Sequence, residues 1–142
     1  MFTRVPQYRS VALLLVLTFA LGGCCDPGSC RTARMTFRAL EPVTTRVADF
    51  TDRQGHPPAR LEDAFPKGLP ANLRPLRPET PQRFQLGLEN GTQRIIGYGP
   101  KDPPDSMPDT GATQLNFSYS GPGMNRCNWA SDQRSWMCSG FY

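Results

Sequence analysis

The stretch CNWASDQRSWMC, residues 127–138, reads almost the same in both directions, with a Trp two places inside each Cys. If it forms a hairpin, one register places Cys127 opposite Cys138 and Trp129 opposite Trp136, across a turn of four residues. Because side chains alternate between the two faces of a strand, the disulfide and the Trp pair then share one face. The pattern predicts a hairpin closed by a disulfide.

Two other interpretations of this stretch are a metal clip and a binding platform. A structural zinc site needs four nitrogen or sulfur ligands, and only the Cys pair is present here. A Trp pair that faces solvent would offer a partner-binding surface, which makes Trp129 and Trp136 candidate partner-binding residues. A pair that faces inward instead stabilises the sheet. We favour the structural role, because one hairpin register explains both the Cys pair and the Trp pair.

Alternating apolar residues predict more strands upstream of this hairpin. Residues 84–88 alternate apolar with polar side chains, and Asn90-Gly91, a strong hairpin signal, separates them from a second strand-like run at residues 92–98. The run TQLNFSYS, residues 113–120, alternates in the same way. With the final hairpin, these runs predict four to five antiparallel strands.

The segment from Met35 to Gln54 predicts a long N-terminal helix, because its apolar residues recur at helical spacing. The residues on this apolar face are Phe37, Leu40, Val43, Val47 and Phe50. Pro42 lacks a backbone N–H and crowds the preceding turn, so the helix either starts there or kinks there. Gly55 ends the helix, since glycine readily takes the left-handed conformation just past a helix end.

The segment ARLEDAF, residues 59–65, predicts a second, short helix between flanking prolines, and a Pro-rich extended crossing follows at residues 67–81. The core-facing residues of this short helix are Leu61, Ala64 and Phe65. The order of elements predicts an α+β fold, in which the long helix and the short helix pack on a four- to five-stranded antiparallel sheet. Residues 35–142 would form this single domain.

The first 23 residues have the pattern of a signal peptide. Two arginines precede an apolar run from Val11 to Leu21, which is shorter than the roughly 20 residues that a membrane-spanning helix needs. The residues Leu21-Gly22-Gly23-Cys24 that end this segment resemble the lipobox of bacterial lipoproteins. The resemblance implies that residues 1–23 are removed and that Cys24 is acylated, with palmitate among the attached groups.

Acylation of Cys24 implies a protein anchored by lipid to the cell membrane or the outer membrane and facing the periplasm. Several acyl chains hold a protein firmly, whereas one holds it only marginally. Residues 24–34 would be the tether. The four remaining Cys suit an oxidising compartment and allow three pairings. Spacing favours Cys127 with Cys138 and, across the turn-forming DPGS, Cys25 with Cys30.

From residue 35 onward the chain is similar to the globular heads of type IV pilin-like proteins and type II secretion pseudopilins. The resemblance rests on a helix that ends at Gly55, followed by Pro58, Leu61 and a Pro-rich loop from Pro66. It implies a pilin-like head. In pilins the apolar segment is kept for assembly, whereas here a lipobox marks it for removal, so a separate lipoprotein is expected rather than a pilus subunit.

Composition and motifs argue against nucleic-acid binding and catalysis. Without Arg4 and Arg9, the 16 basic residues fall to 14 against 12 acidic residues, a net charge of +2 that is too small for a nucleic-acid footprint. His56 is the one His of the chain and stands at a helix end, where a solvent-exposed loop residue is expected rather than a general base. The G-x-S-x-G, HExxH and P-loop patterns are absent from the sequence.

The segment KDPPDSMPDTG brings Asp102, Asp105 and Asp109 into one loop, which raises the question of calcium. A good calcium site needs six or more oxygen ligands in a defined order, and this spacing matches no known site of that kind. We therefore expect a solvated loop, with no metal and no cofactor.

Together these observations predict a lipid-anchored protein of the cell envelope with a structural or protein-interaction role. Its expected partners are the membrane, through the lipid, and another envelope protein. The alternative is an immunity protein, or an inhibitor of a periplasmic toxin or enzyme. We expect no catalytic residues, no nucleic acid and no small-molecule substrate.

Overall fold

The structure, a computed structural model, describes residues 30–77, 82–102, 109–121 and 123–140. The signal peptide, Cys24, Cys25 and Asp105 lie outside these residues, so the predictions about them stay predictions. In chain order the elements are helix α1 (Arg31–Gln54), a single-turn 3-10 helix (Leu61–Ala64) and six strands. The strands are β1 (Leu73–Pro75), β2 (Arg83–Gly87), β3 (Gln93–Pro100), β4 (Thr113–Gly121), β5 (Gly123–Ala130) and β6 (Trp136–Gly140).

Helix α1 is longer than its predicted span and begins at Arg31, so the last residues of the predicted tether are helical. The residues that α1 buries are Ala33, Thr36, Leu40, Val43 and Val47. The predicted end of the helix is confirmed: Gly55 has φ 77° and its N–H donates to the Thr51 carbonyl. The helix does not start at Pro42, which lies inside it and is exposed.

Pro42 is tolerated within α1 because the buried side chains that precede and follow it in the chain hold the helix against the core. Leu40 and Val43 are 0% and 1% exposed, so the apolar face continues without interruption past the proline. The missing N–H costs one intrahelical hydrogen bond, to the carbonyl of Arg38. Packing therefore overrides a strong local helix breaker.

The 3-10 helix places its apolar residues as predicted: Leu61 and Ala64 are buried and Phe65 is half-buried. Its first turn is fixed by side chains. The N–H of Leu61 donates to Oε1 of Gln82 at 2.7 Å, and the N–H of Arg60 donates to a carboxylate oxygen of Asp63 at 3.0 Å. The bond to Gln82 joins the residue before β2 to the segment that follows α1.

The predicted fold class is wrong. The described part of the chain has one α-helix, one 3-10 turn and a six-stranded antiparallel sheet that makes up most of its regular secondary structure. The prediction of a long helix and a short helix on a four- to five-stranded sheet, in the proportions of a pilin-like head, does not describe it. The strands follow one another in the order β1-β2-β3-β4-β5-β6, a simple meander in which each strand pairs with the next.

The strand missed by sequence reasoning is β1, inside the Pro-rich segment that was expected to be an extended crossing. Arg74 pairs with Gln85, and on either side Gly87 donates to the Asn72 carbonyl and Leu76 donates to the Arg83 carbonyl. The backbone nitrogen of Pro75 therefore points toward the free edge of the sheet. A proline there removes no ladder hydrogen bond, which is why an edge strand accepts it.

One face of the sheet carries the core, and we call it the inner sheet face. The side chains it contributes include Leu73, Phe84, Leu86, Ile96, Tyr98, Leu115, Phe117, Tyr119, Cys127 and Trp129, all 5% exposed or less. The buried face of α1 belongs to the same apolar cluster. The helix thus covers the inner sheet face.

Candidate functional site

The β5–β6 hairpin has the predicted register. Cys127 lies opposite Cys138 and Trp129 lies opposite Trp136. The predicted disulfide between Cys127 and Cys138 is confirmed, with Cα atoms 4.1 Å apart. Cys127 is fully buried and Cys138 is half-buried, so the bond lies at the border of the core.

The connection between β5 and β6, residues 131–135, is held from several sides. Arg134, at φ 53°, donates its backbone N–H to the Ala130 carbonyl at 2.8 Å, and its guanidinium pairs with Asp52 of α1. Nζ of Lys101 lies 2.9 Å from Oδ2 of Asp132. The hydrogen bond from Lys101 is the main cause that lowers the pKa of Asp132. These contacts fix the hairpin against both the helix and the end of β3.

The tryptophan pair faces inward. Trp129 is only 4% exposed, and the half-buried Trp136 packs with its ring centroid 4.9 Å from Phe37 of α1 and 5.3 Å from Phe117 of β4. The candidate partner-binding residues are therefore part of the helix–sheet contact rather than an exposed platform. The alternation along β5 and β6 cannot give this direction, because the position of the helix decides which face is covered.

A buried hydroxyl joins the sheet to the loop after α1. The hydroxyl of Tyr98 donates to the Pro58 carbonyl and lies 3.0 Å from Oγ1 of Thr113. Burial raises the pKa of Tyr98 to about 12, and the hydrogen bond with Thr113 opposes this shift. The group is a structural link, since its phenol is satisfied inside the fold.

The structure leaves His56 apart from any acid–base partner that it describes. The side chain is exposed, its Nδ1 lies 3.0 Å from the carbonyl oxygen of Pro57, and its ring meets the ring of Phe50 edge-on at 6.0 Å. His56 is thus an exposed loop residue just after the end of α1.

The predicted aspartate loop is described only at its two ends. Asp102 is exposed, and Oδ1 of Asp109 accepts the N–H of Gly111 at 2.8 Å in a local turn. Among residues 30–77, 82–102, 109–121 and 123–140, no three His, Cys, Asp or Glu side chains lie close enough to hold a metal ion. Calcium binding by this loop is therefore not tested, because Asp105 lies outside the described residues.

The side of the sheet away from α1 is uncovered in the described structure, and sequence reasoning did not single it out. We call it the outer sheet face. Its described residues include Arg74, Leu76, Arg83, Gln85, Gln93, Ile95, Gly97, Gln114, Asn116, Ser118, Arg126, Asn128, Met137 and Ser139. The large apolar residues exposed in the described structure, Leu76, Ile95 and Met137, all belong to it. The polar residues that alternate with the apolar residues along each strand could have identified this face from the sequence.

A shallow groove lies in the middle of the outer sheet face. Its floor is at Gly97, where a Cβ would come 2.7 Å from Oδ1 of Asn116, so the Asn116 amide lies across the glycine. Arg83, Ser118 and Arg126 are among the residues that line it. The groove therefore combines hydrogen-bonding groups with two exposed guanidinium groups.

Arg94 borders this groove, but its side chain lies on the inner side of the sheet, because it pairs with Leu86 and its guanidinium approaches Tyr119. The register of β3 with β4 runs from Gly97 to Pro100, and Arg94 lies beyond it, with its Nη1 3.4 Å from the Ser118 carbonyl. Its guanidinium carbon stands 5.9 Å from the centre of the Tyr119 ring. Burial lowers the pKa of Arg94, and its Nε is buried with no hydrogen-bond partner in the described structure.

No known protein family, curated protein or solved structure matches the chain. Within the described residues, no helix combines the length and the apolar character required to cross a lipid bilayer.

Proposed function

We propose that this chain is a lipid-anchored cell-envelope protein whose folded part binds another envelope protein and catalyses no reaction. The proposed anchor is Cys24, on the lipobox resemblance of Leu21-Gly22-Gly23-Cys24. Residues 1–23 are the proposed signal peptide. The folded domain begins with α1 at Arg31, only a few residues after the anchor, so it is held close to the membrane.

The observation that carries this proposal is the Cys127–Cys138 disulfide. Disulfides persist in oxidising compartments such as the bacterial periplasm and are rare in the cytosol. A hairpin closed by a disulfide, in a chain whose N-terminus has the pattern of a signal peptide, therefore supports a location in the cell envelope. The uncovered outer sheet face supports an interaction role, because it presents apolar and guanidinium groups together.

Replacing the proposed acyl acceptor tests the anchor. In Cys24→Ser, we expect loss of radiolabelled palmitate from the protein and its release from membranes on fractionation, because the thiol that carries the lipid is gone. Cys25→Ser is the matched control and should keep both the label and the membrane fraction. Labelling that persists in Cys24→Ser, or that is lost only in Cys25→Ser, contradicts the proposed anchor.

A further inference from the structure

We propose that the outer sheet face docks an acidic surface segment of another envelope protein, with carboxylates entering the groove beside Arg83 and Arg126. This inference rests on the proposed function, since it names the surface and the chemistry of the partner. It begins from the charge of the face. None of its residues is Asp or Glu, while Arg74, Arg83 and Arg126 are exposed on it.

The guanidinium groups of the groove favour binding of a carboxylate in particular. Guanidinium groups bind carboxylates through paired N–H donors in a fixed planar geometry. Two of them, from Arg83 and Arg126, line one groove, together with the Asn116 amide and the Ser118 hydroxyl.

The charged residue types of the outer sheet face match those of a protein interface. Interfaces are enriched in aromatic residues, Arg and Met and depleted in Lys, Asp, Glu and Ser. The described part of this face has Arg and Met with no Lys and no acid, and it differs from the average interface in having Ser118 and Ser139 and no aromatic residue. Its apolar residues, Leu76, Ile95 and Met137, stand apart from one another among amides and hydroxyls. Six strands at about 4.8 Å spacing give a face roughly 24 Å wide, which suits a small and transient interface.

A protein fits this face better than an anionic membrane does. Attraction to lipid headgroups requires only cations. The amides of Gln85, Asn116 and Asn128 supply both donors and acceptors, which match the peptide groups and polar side chains of a protein. We therefore assign the partner as an acidic protein segment and treat a lipid as an outcome of the test.

Photo-crosslinking in the full, acylated chain in cells tests the assignment. A photo-crosslinking amino acid replaces Ser118 in the groove, and in a separate variant it replaces Glu41, which is exposed on α1. We expect the groove position to yield one discrete protein adduct whose crosslinked segment is rich in Asp and Glu. Raising the salt from about 0.1 M to about 1 M in isolated envelopes should lower the yield, because the Debye length falls from about 10 Å to about 3 Å.

Charge reversal separates a specific site from general attraction. In Arg83→Glu with Arg126→Glu, we expect the yield from the groove position to fall about tenfold, because like charges then face each other. Arg34→Glu with Arg46→Glu, which reverses two exposed arginines on α1, makes the same change in net charge and should leave the yield within about twofold. Changing the acids of the crosslinked segment to Lys should restore the adduct with the reversed face.

Several crosslinking results would overturn the inference. A lipid adduct, an adduct with a neutral segment, or an equal loss in both reversed variants overturns the acidic-partner inference. A protein adduct from position 41 but none from position 118 also overturns it and leaves the proposed function standing. Absence of any protein adduct from both positions overturns the interaction role as well, while palmitate labelling at Cys24 tests the anchor independently.

The reversed variant must also be shown to fold. Arg83 and Arg126 are exposed, so their replacement should leave the melting temperature and the Cys127–Cys138 disulfide as in the parent chain. Arg83→Gln with Arg126→Gln serves as a milder second variant. It should weaken crosslinking in the same direction, and an unchanged yield in a folded protein of this kind contradicts the inference.

Discussion

Tyr98 shows how a single buried hydroxyl can tie three segments together. Its strand neighbours place it on the inner sheet face, and its hydroxyl reaches Pro58, which follows α1, and Thr113, at the start of β4. The sequence predicts a strand over residues 92–98, which ends at Tyr98. It does not predict the partners of the hydroxyl, which come from positions 40 and 15 residues away in the chain.

The raised pKa of Tyr98 predicts a loss of stability at alkaline pH. Its folded-state value of about 12 exceeds the ordinary value of 10.0, so the folded protein holds the phenol proton more tightly than the unfolded chain does. The resulting stabilisation, about 2 kcal/mol, is fully present below pH 10 and disappears as the pH rises to about 12. Tyr98→Phe should flatten this part of the pH dependence.

The measurement is the free energy of unfolding by denaturant at several pH values for both proteins. At neutral pH Tyr98→Phe should itself be less stable by about 1 kcal/mol, because the Pro58 carbonyl loses its donor. The decisive quantity is the slope between pH 10 and pH 12. Equal slopes for the two proteins would contradict the assignment to Tyr98.

At the scale of elements, the final hairpin is the part best predicted from sequence. Its strand pairing, its disulfide and the Trp pair all follow from one register, because the residue spacing within residues 127–138 allows the two pairs to meet together. The contacts of its turn were not foreseeable. Asp52 and Lys101 are distant in the chain and meet Arg134 and Asp132 only after the helix and the sheet have packed.

Removing the hairpin disulfide should destabilise the domain by about 3 kcal/mol, because the bond closes a short loop and restricts the unfolded chain. We propose Cys127→Ala with Cys138→Ala, since Ala leaves no unsatisfied hydroxyl at the buried position 127. Denaturant unfolding of this variant should match that of the reduced parent chain. The parent chain without reductant provides the comparison, and an unfolding midpoint unchanged by the substitution would refute the stabilising role.

The missed strand β1 illustrates why edge strands are hard to predict. A proline in a sequence normally argues against a strand, and Pro75 lies in a segment with several others. A proline disrupts a strand only where its backbone nitrogen would have to donate to a neighbouring strand. The position of Pro75 at the free edge depends on the register with β2, which no local property of residues 67–81 determines.

At the scale of the whole molecule, α1 and the inner sheet face meet through aromatic side chains. Phe37 lies 5.7 Å from Phe117 and 4.9 Å from Trp136, measured between ring centroids. The contact joins the N-terminal half of the helix to β4 and to the last strand. It therefore links the two ends of the described chain.

A double-mutant cycle should detect this link. Phe37→Ala and Trp136→Ala are each expected to lower stability by about 2 kcal/mol, since both side chains are only half-buried. Together they should cost about 1 kcal/mol less than the sum, because the ring contact is lost once. Denaturant unfolding gives the four free energies.

The matched control pairs Trp136→Ala with Phe50→Ala. Phe50 is also half-buried on α1 but lies 13 residues further along, about 20 Å along the helix axis. Its cycle should be additive within about 0.5 kcal/mol. Additivity in the Phe37 cycle as well would show that the aromatic contact does not couple the helix to the hairpin.

Residue spacing along the chain is enough to predict the local elements of this protein: the helix with its apolar face and its end at Gly55, five of the strands, and the disulfide hairpin. Each depends on spacing within one short segment. Tertiary structure alone decided the strand number, through β1, and the direction of the tryptophans. It also decided which sheet face is left uncovered and presents arginines. The helix can cover only one face, and which face it covers depends on contacts between residues that are distant in the chain.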